Sequence, residues 1–114
     1  MILIDDILKV DGSLKNHKNT ICKKYNRVNI NSLEVKNGEI FFALKGETND
    51  GHKYIDDVIR RKAGLIFVNI NWYNKNKNKY KTDVFYVVKN TTIALGELAH
   101  HHKNRMNIPI LGVA

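Results

Sequence analysis

Asn37-Gly38-Glu39-Ile40-Phe41-Phe42-Ala43-Leu44 is the stretch on which the fold turns. Asn-Gly is a turn signal, and the run behind it is apolar without alternation. A run so short and aromatic predicts a strand buried on both faces, as inside a parallel sheet. Downstream, Ile55, Val58, Ile59 and Ala63 recur at helical spacing, and Gly64 stands where a left-handed helix cap is expected. Leu65 to Val68 reads as a second buried strand. The Lys/Asn-rich stretch from Asn74 to Lys81 reads as a solvated loop, and Val84 to Val88 as a third strand. Asn90, Thr91 and Thr92 are helix starters. Behind them Leu95, Leu98, Ala99, His102 and Met106 mark one face of a helix of about four turns, which Pro109 ends.

Upstream the pattern is weaker. Ile4, Ile7 and Leu8 share a helical face with Asp5 and Asp6 in the first turn, so a short helix is expected, closed by Asp11-Gly12-Ser13. Residues 14 to 24 are polar and read as a loop or a poor edge strand. Val28 and Ile30 alternate with polar neighbours, which predicts a strand running to Asn31. Strands alternating with helices give an α/β fold, a small, largely parallel or mixed sheet flanked by helices.

Composition bounds the function. The 114 residues suffice for one domain that buries roughly two-thirds of its unfolded surface. No apolar run approaches the roughly 20 residues that span a bilayer, so no membrane partner is expected. Met1 to Val10 carries two aspartates and no basic leader, so no signal peptide is expected either. Cys22 is the single cysteine, which fits a reducing, cytoplasmic setting. The formal charge of +8 invites a nucleic-acid partner. Only Arg27, Arg60, Arg61 and Arg105 are arginines, however, and the lysines are spread along the whole chain, so no nucleic-acid partner is expected.

Two motifs fail on chemistry. Gly46-Glu47-Thr48-Asn49-Asp50-Gly51-His52-Lys53 follows a strand and precedes a helix, as a phosphate loop does. Yet His52 occupies the lysine position, Lys53 the Mg²⁺-binding hydroxyl position, and Glu47 and Asp50 bring negative charge where phosphates belong. His100-His101-His102 cannot converge on one ion, because consecutive helical residues point about 100° apart. No metal is expected in the chain.

Two blocks carry a resemblance. Val35-Lys36-Asn37-Gly38-Glu39-Ile40-Phe41-Phe42-Ala43-Leu44-Lys45-Gly46-Glu47, with Asp50-Gly51-His52-Lys53-Tyr54-Ile55, resembles the amino-terminal domain of the Mur ligases. Ala94-Leu95-Gly96-Glu97-Leu98-Ala99, then Asn107-Ile108-Pro109-Ile110-Leu111-Gly112-Val113, looks like that family's approach to its central ATPase domain. The resemblance implies a UDP-moiety-binding domain over residues 1–107, with 108–114 the start of an ATPase domain whose phosphate loop lies past Ala114. The wording is most similar to the MurF type, which joins D-alanyl-D-alanine to UDP-N-acetylmuramoyl-tripeptide in peptidoglycan synthesis. The MurE type, which adds the third amino acid, is the runner-up, and a free-standing nucleotide-sugar binding module is the other alternative.

By the same resemblance this domain would anchor the UDP end of the substrate as a monomer. ATP, Mg²⁺ and D-alanyl-D-alanine would sit on domains outside it, and no catalytic residue would lie within it. The residues at the family's substrate-binding positions are Asn31, Ser32, Lys45, Gly46, Asp50, Gly51 and His52. For Gly46, Asp50 and Gly51 a purely structural turn remains open beside ligand contact. One departure stands out: the family's Asp-Ser-Arg reads Asn31-Ser32-Leu33 here. Ser32 keeps a hydroxyl for uracil or ribose, whereas leucine has neither the charge nor the forked donors of arginine. Lys45 or another lysine is then left as the phosphate partner.

Overall fold

Ile40, Phe41, Phe42 and Ala43 are all fully buried, and they point alternately into two separate cores. The structure is a computed structural model that describes residues 2–15, 24–80 and 84–101. In chain order its elements are β1 (Ile2–Leu3), α1 (Ile4–Ile7), β2 (Ser13–Lys15), β3 (Lys24–Tyr25), β4 (Val28–Asn29), β5 (Ile40–Phe42), α2 (Ile55–Arg60), β6 (Leu65–Asn69), α3 (Ile70–Asn76), β7 (Phe85–Val88) and α4 (Thr91–His101). Short 3₁₀ turns cover Ser32–Glu34, Gly51–Tyr54 and Lys77–Lys79.

The main sheet has the order β2-β7-β6-β5-β4. Strands β4, β5, β6 and β7 run parallel, and β2 closes one edge antiparallel to β7. The expected α/β fold, a largely parallel sheet flanked by helices, is the fold observed. A separate antiparallel pair joins β1 to β3.

Residue alternation along the buried strands divides the core between the two faces. On one face Ile40, Phe42, Leu65, Phe67, Tyr86 and Val88 meet Ile7 of α1 and Ala94, Leu95 and Leu98 of α4. The in-register neighbours Phe42, Phe67 and Tyr86 stack across three strands, with ring centroids 4.0 and 4.7 Å apart. On the other face Phe41, Ala43, Ile66, Val68, Phe85 and Val87 meet Ile55 and Val58 of α2, with Trp72 and Tyr73 of α3 packed against them. Strands buried on both sides carry no polar alternation, which is why β5, β6 and β7 read as plain apolar runs.

Several expectations shift. The left-handed residue at the end of α2 is Lys62 (φ 62°), not Gly64. Lys62 N–H bonds Ile59 O and Ala63 N–H bonds Val58 O, the paired bonds of a Schellman cap with Lys62 at the left-handed position. Gly64 serves close approach instead: a Cβ there would lie 2.7 Å from the carbonyl oxygen of Gly38. The expected Lys/Asn loop is helical in its first part, α3 followed by the 3₁₀ turn. Trp72 and Tyr73 anchor it, each with its ring 5.8 Å from that of Phe85, and the Asn76 side chain donates to Trp72 O at 2.9 Å.

At the amino end the helix is one turn, and Leu8 points out, 52% exposed, while Val10 turns in. β4 stops at Asn29, short of Asn31, with both its residues buried. Of the two readings for the stretch after Gly12, the edge strand holds over Ser13–Lys15. Asn90 caps α4, its Oδ1 accepting from Ile93 N–H at 3.1 Å. Cys22, His102, Met106, Pro109 and residues 108–114 lie outside the described residues. Among the described residues no helix is long and apolar enough to cross a membrane.

Candidate functional site

In a parallel sheet, loops leaving the carboxyl ends of neighbouring strands open a crevice, and ligands bind there. Here a chain of hydrogen bonds fastens those ends together. The Thr91 hydroxyl, fully buried, donates to Ala43 O at 2.7 Å just past β5. Thr91 N–H donates to the side-chain oxygen of Asn69 at 2.8 Å, at the end of β6. Asn69 N–H in turn donates to His52 Nε2 at 3.0 Å. Because Nε2 accepts, the neutral ring carries its proton on Nδ1, which faces Asp50 Oδ1 at 2.6 Å.

Asp50 also accepts from His52 N–H at 3.0 Å. Burial alone would raise its pKa. The bonds from the His52 backbone and ring, with the charge of Lys45, outweigh burial and hold the carboxyl below its usual range.

A second set of bonds holds the turn after β4. Glu39 is buried, accepts from Lys36 N–H at 2.9 Å and from Asn29 Nδ2 at 3.4 Å, and faces Arg27 Nε at 3.7 Å. Asn29 Nδ2 also reaches Glu34 O at 3.2 Å. Asn31 Oδ1 caps the turn by accepting from Leu33 N–H at 3.0 Å. Just past α2, Arg61 donates to Leu33 O at 3.0 Å and to Asp57 at 3.3 Å.

Between the two supports lies an open cleft of about 530 Å³, within the range of small-ligand sites. Ile30, Asn31, Ser32 and Leu33 line it from the turn, and Leu44, Gly46, Asn49, Gly51 and Tyr54 from the loop after β5. Of the seven residues expected at a substrate site, Asn31, Ser32, Gly46 and Gly51 come together here. Lys45, Asp50 and His52 do not line the cleft; His52 is 5% exposed and both its ring nitrogens are engaged within the fold. The sequence reading passed over Tyr54 and Asn49 in the cleft, and Asn29, Glu39, Arg61, Asn69 and Thr91 behind it. The position of Asn69, at the carboxyl end of a buried strand, was the available signal. A separate cavity of about 310 Å³ between β2, β7 and α3 holds none of the expected residues.

The family model described as "Mur ligase family, catalytic domain" matches residues 24–103, well over half of the chain. The chain belongs to the Mur ligase family. It is 35% identical over 75 residues to a UDP-N-acetylmuramoyl-L-alanyl-D-glutamate–2,6-diaminopimelate ligase of Clostridium tetani, covering 66% of the chain and 15% of that relative. To a UDP-N-acetylmuramoyl-tripeptide–D-alanyl-D-alanine ligase of Haemophilus influenzae it is 33% identical over 81 residues, 71% of the chain and 16% of the relative. The chain thus spans about a sixth of the length of these relatives. Relatives of both types are similar at the same level, so the family is fixed and the type is not.

The crystal structure of a MurF ligase from Thermotoga maritima, in complex with ADP, matches 69% of this Mur ligase chain and 17% of its own, with TM-score 0.56 and 30% identity. A MurF from Acinetobacter baumannii shares the fold over 91% of the chain, with TM-score 0.67 at 22% identity.

The loop that mimics a phosphate site in this Mur ligase chain does not fit ATP. Gly46 N–H donates to Asn49 O at 2.8 Å and Gly51 N–H to Leu44 O at 2.7 Å, so both glycine amides close the loop on itself and offer no anion cradle. His52, at the lysine position, is turned inward. Among the described residues no group of three or more His, Cys, Asp or Glu side chains is placed to hold a metal ion.

Proposed function

We propose that this chain is the substrate-anchoring domain of a cytoplasmic, monomeric Mur ligase of the MurF type, holding the UDP end of UDP-N-acetylmuramoyl-tripeptide. ATP, Mg²⁺ and D-alanyl-D-alanine bind on further domains. On this reading residues 1–107 form the anchoring domain and 108–114 lead into the ATPase domain. The observation that carries it is the convergence of Asn31, Ser32, Gly46 and Gly51 on one cleft at the carboxyl edge of the sheet. No catalytic residue is assigned here. The anchor contributes to rate by fixing the reacting carboxylate at the far end of the substrate, where the longer protein carries out phosphoryl transfer.

The MurE type is the second reading, supported by the 35% identity to the diaminopimelate-adding relative. Two measurements test these readings. Saturable UDP binding by the chain, with amide shifts confined to residues 30–33 and 44–54, is the expected result; no binding at millimolar UDP refutes the anchoring role. In the full-length protein, phosphate release from ATP with UDP-N-acetylmuramoyl-tripeptide and D-alanyl-D-alanine supports the MurF type. Release only with the dipeptide substrate and a diamino acid supports MurE.

A further inference from the structure

The chain of bonds across the strand ends runs through one titratable ring. His52 is buried, its side chain 3% exposed, and its Nε2 accepts from Asn69 N–H at 3.0 Å. Its other nitrogen, Nδ1, faces Asp50 Oδ1 at 2.6 Å. Only the neutral ring can serve both partners, because an imidazolium carries a proton on each nitrogen and accepts no bond. A proton on Nε2 would meet the Asn69 amide proton head on. The bond to β6 therefore exists in one charge state of the ring and is lost in the other.

What is lost is a tether. Among the described residues, the His52–Asn69 bond is the one hydrogen bond that fastens residues 45–54 to β6. The bonds that shape those residues do not pass through the ring. Gly46 N–H donates to Asn49 O, Gly51 N–H donates to Leu44 O, and Lys45 bridges Asp50. Asn69 is held from its other side as well, since its side chain accepts from Thr91 N–H at 2.8 Å. Charging the ring thus releases the loop as a body and leaves both partners shaped as they were.

The surroundings give a charged ring a place to stay. Asp50 is held below the usual carboxylate range, so it is still ionised at pH 5 and pairs with an imidazolium. Of the other charged groups on the loop, Lys45 acts on Asp50, while Glu47 and Lys53 are exposed. From β6 and α3 the ring is faced by Asn69 and by Trp72, whose ring lies 5.5 Å away, and neither carries a charge. On α2, Asp56 is turned to the Tyr80 hydroxyl.

We infer that His52 is an acid-released latch. Neutral, it fastens the loop after β5 to the end of β6. Protonated, it lets go of Asn69, keeps Asp50 and frees the loop that forms one wall of the cleft. The latch needs no ligand and stands whether or not UDP binds.

The test is nuclear magnetic resonance of the chain from pH 8 to pH 5, the span in which histidines as a class change charge. The His52 ring signals should titrate. In step with them the Asn69 amide, corrected for intrinsic exchange, should lose about fivefold or more in protection, the worth of one net hydrogen bond. The Gly46 and Gly51 amides should keep theirs. His52→Gln, whose side-chain oxygen accepts from an amide but takes up no proton in this range, should hold Asn69 protection constant, with circular dichroism confirming its fold. Asp50→Asn, which removes the partner of the charged ring, should move the transition to lower pH. A His52 ring that stays neutral down to pH 5 overturns the latch, and so does a ring that titrates while Asn69 protection is unchanged. Loss of protection at Gly46 and Gly51 together with Asn69 is local unfolding and not release, and overturns it too.

Discussion

Replacing Thr91 with valine tests whether the hydrogen-bond belt holds the strand ends together. The Thr91 side chain is fully buried and its hydroxyl donates to Ala43 O at 2.7 Å. Valine keeps the shape but puts a methyl where the hydroxyl was. A carbon approaches a carbonyl oxygen no closer than about 3.3 Å, so the two groups must separate by about half an ångström in a packed interior. The buried carbonyl is then left without its donor, a cost of about 1–3 kcal/mol. The added displacement puts the expected loss in the upper half of that range, about 2–3 kcal/mol.

For a domain of this size that corresponds to a fall in Tm of roughly 8–12 °C. Urea and thermal unfolding followed by circular dichroism supply the measurement. The single tryptophan, Trp72, which packs beside His52 at 5.5 Å, gives a local probe in the same samples. Asn69 still receives the Thr91 backbone N–H in the variant, so one bond of the belt is removed and not two. A loss under about 0.5 kcal/mol, the size of an ordinary surface substitution, would show that the Ala43 carbonyl does not depend on Thr91, and the belt would lose its central link.

Two further predictions follow from titrating groups. Asp50 has a folded pKa below its unfolded value, so the unfolded chain binds the proton first as pH falls. Its contribution is complete above the usual carboxylate pKa near 4 and is lost as pH drops through the depressed folded value. Asp50→Asn therefore flattens the acid limb of a stability–pH curve below pH ~4; an unchanged limb contradicts the Asp50–His52 pairing. For Tyr80, burial, then a hydrogen bond to Asp56 and the charge of that carboxylate, push the phenol up to about 12. Ultraviolet titration of the five tyrosines should leave Tyr80 protonated until about pH 12, and Asp56→Asn should bring it down; ionisation near 10 in the parent chain would rule the contact out.

How much of this was legible in the sequence depended on what each residue answers to. β5, β6 and β7 were visible because burial on both faces leaves an uninterrupted apolar run, and their alternation with helical spacing pointed to the α/β class. The helical cap was misplaced because glycine is the usual left-handed residue; here Lys62 accepts φ 62° to complete two cap bonds, and Gly64 answers to the approach of Gly38. Helix α3 was hidden by its asparagines and lysines, since its helical state depends on Trp72 and Tyr73 packing against Phe85, a contact across the fold. Of the residues singled out by motif, Asn31, Ser32, Gly46 and Gly51 line the cleft. His52 lay in the same motif but faces the opposite way, because a single imidazole can satisfy both the Asn69 amide and the Asp50 carboxylate. No local pattern distinguishes an inward from an outward side chain in a 3₁₀ turn.

The two walls of the cleft rest on separate supports, and that separation has a consequence for function. The turn carrying Asn31, Ser32 and Leu33 hangs on Asn29, Glu39 and Arg61, whereas the loop carrying Leu44, Gly46 and Asn49 hangs on His52, Asn69 and Thr91. The two walls meet through the parallel pairing of Val28 with Ile40 and Asn29 with Phe41, and through α2, which follows Tyr54 in the chain and runs up to Arg61, the residue bonded to Leu33 O. Cleft width is therefore set by the seat of α2 and by strand register, which cannot slip by one residue without turning β5's two buried faces inside out. The polar bonds set only the orientation of groups on each wall. Substitutions in the supports should disturb the orientation of the groups on each wall before they disturb the width of the cleft.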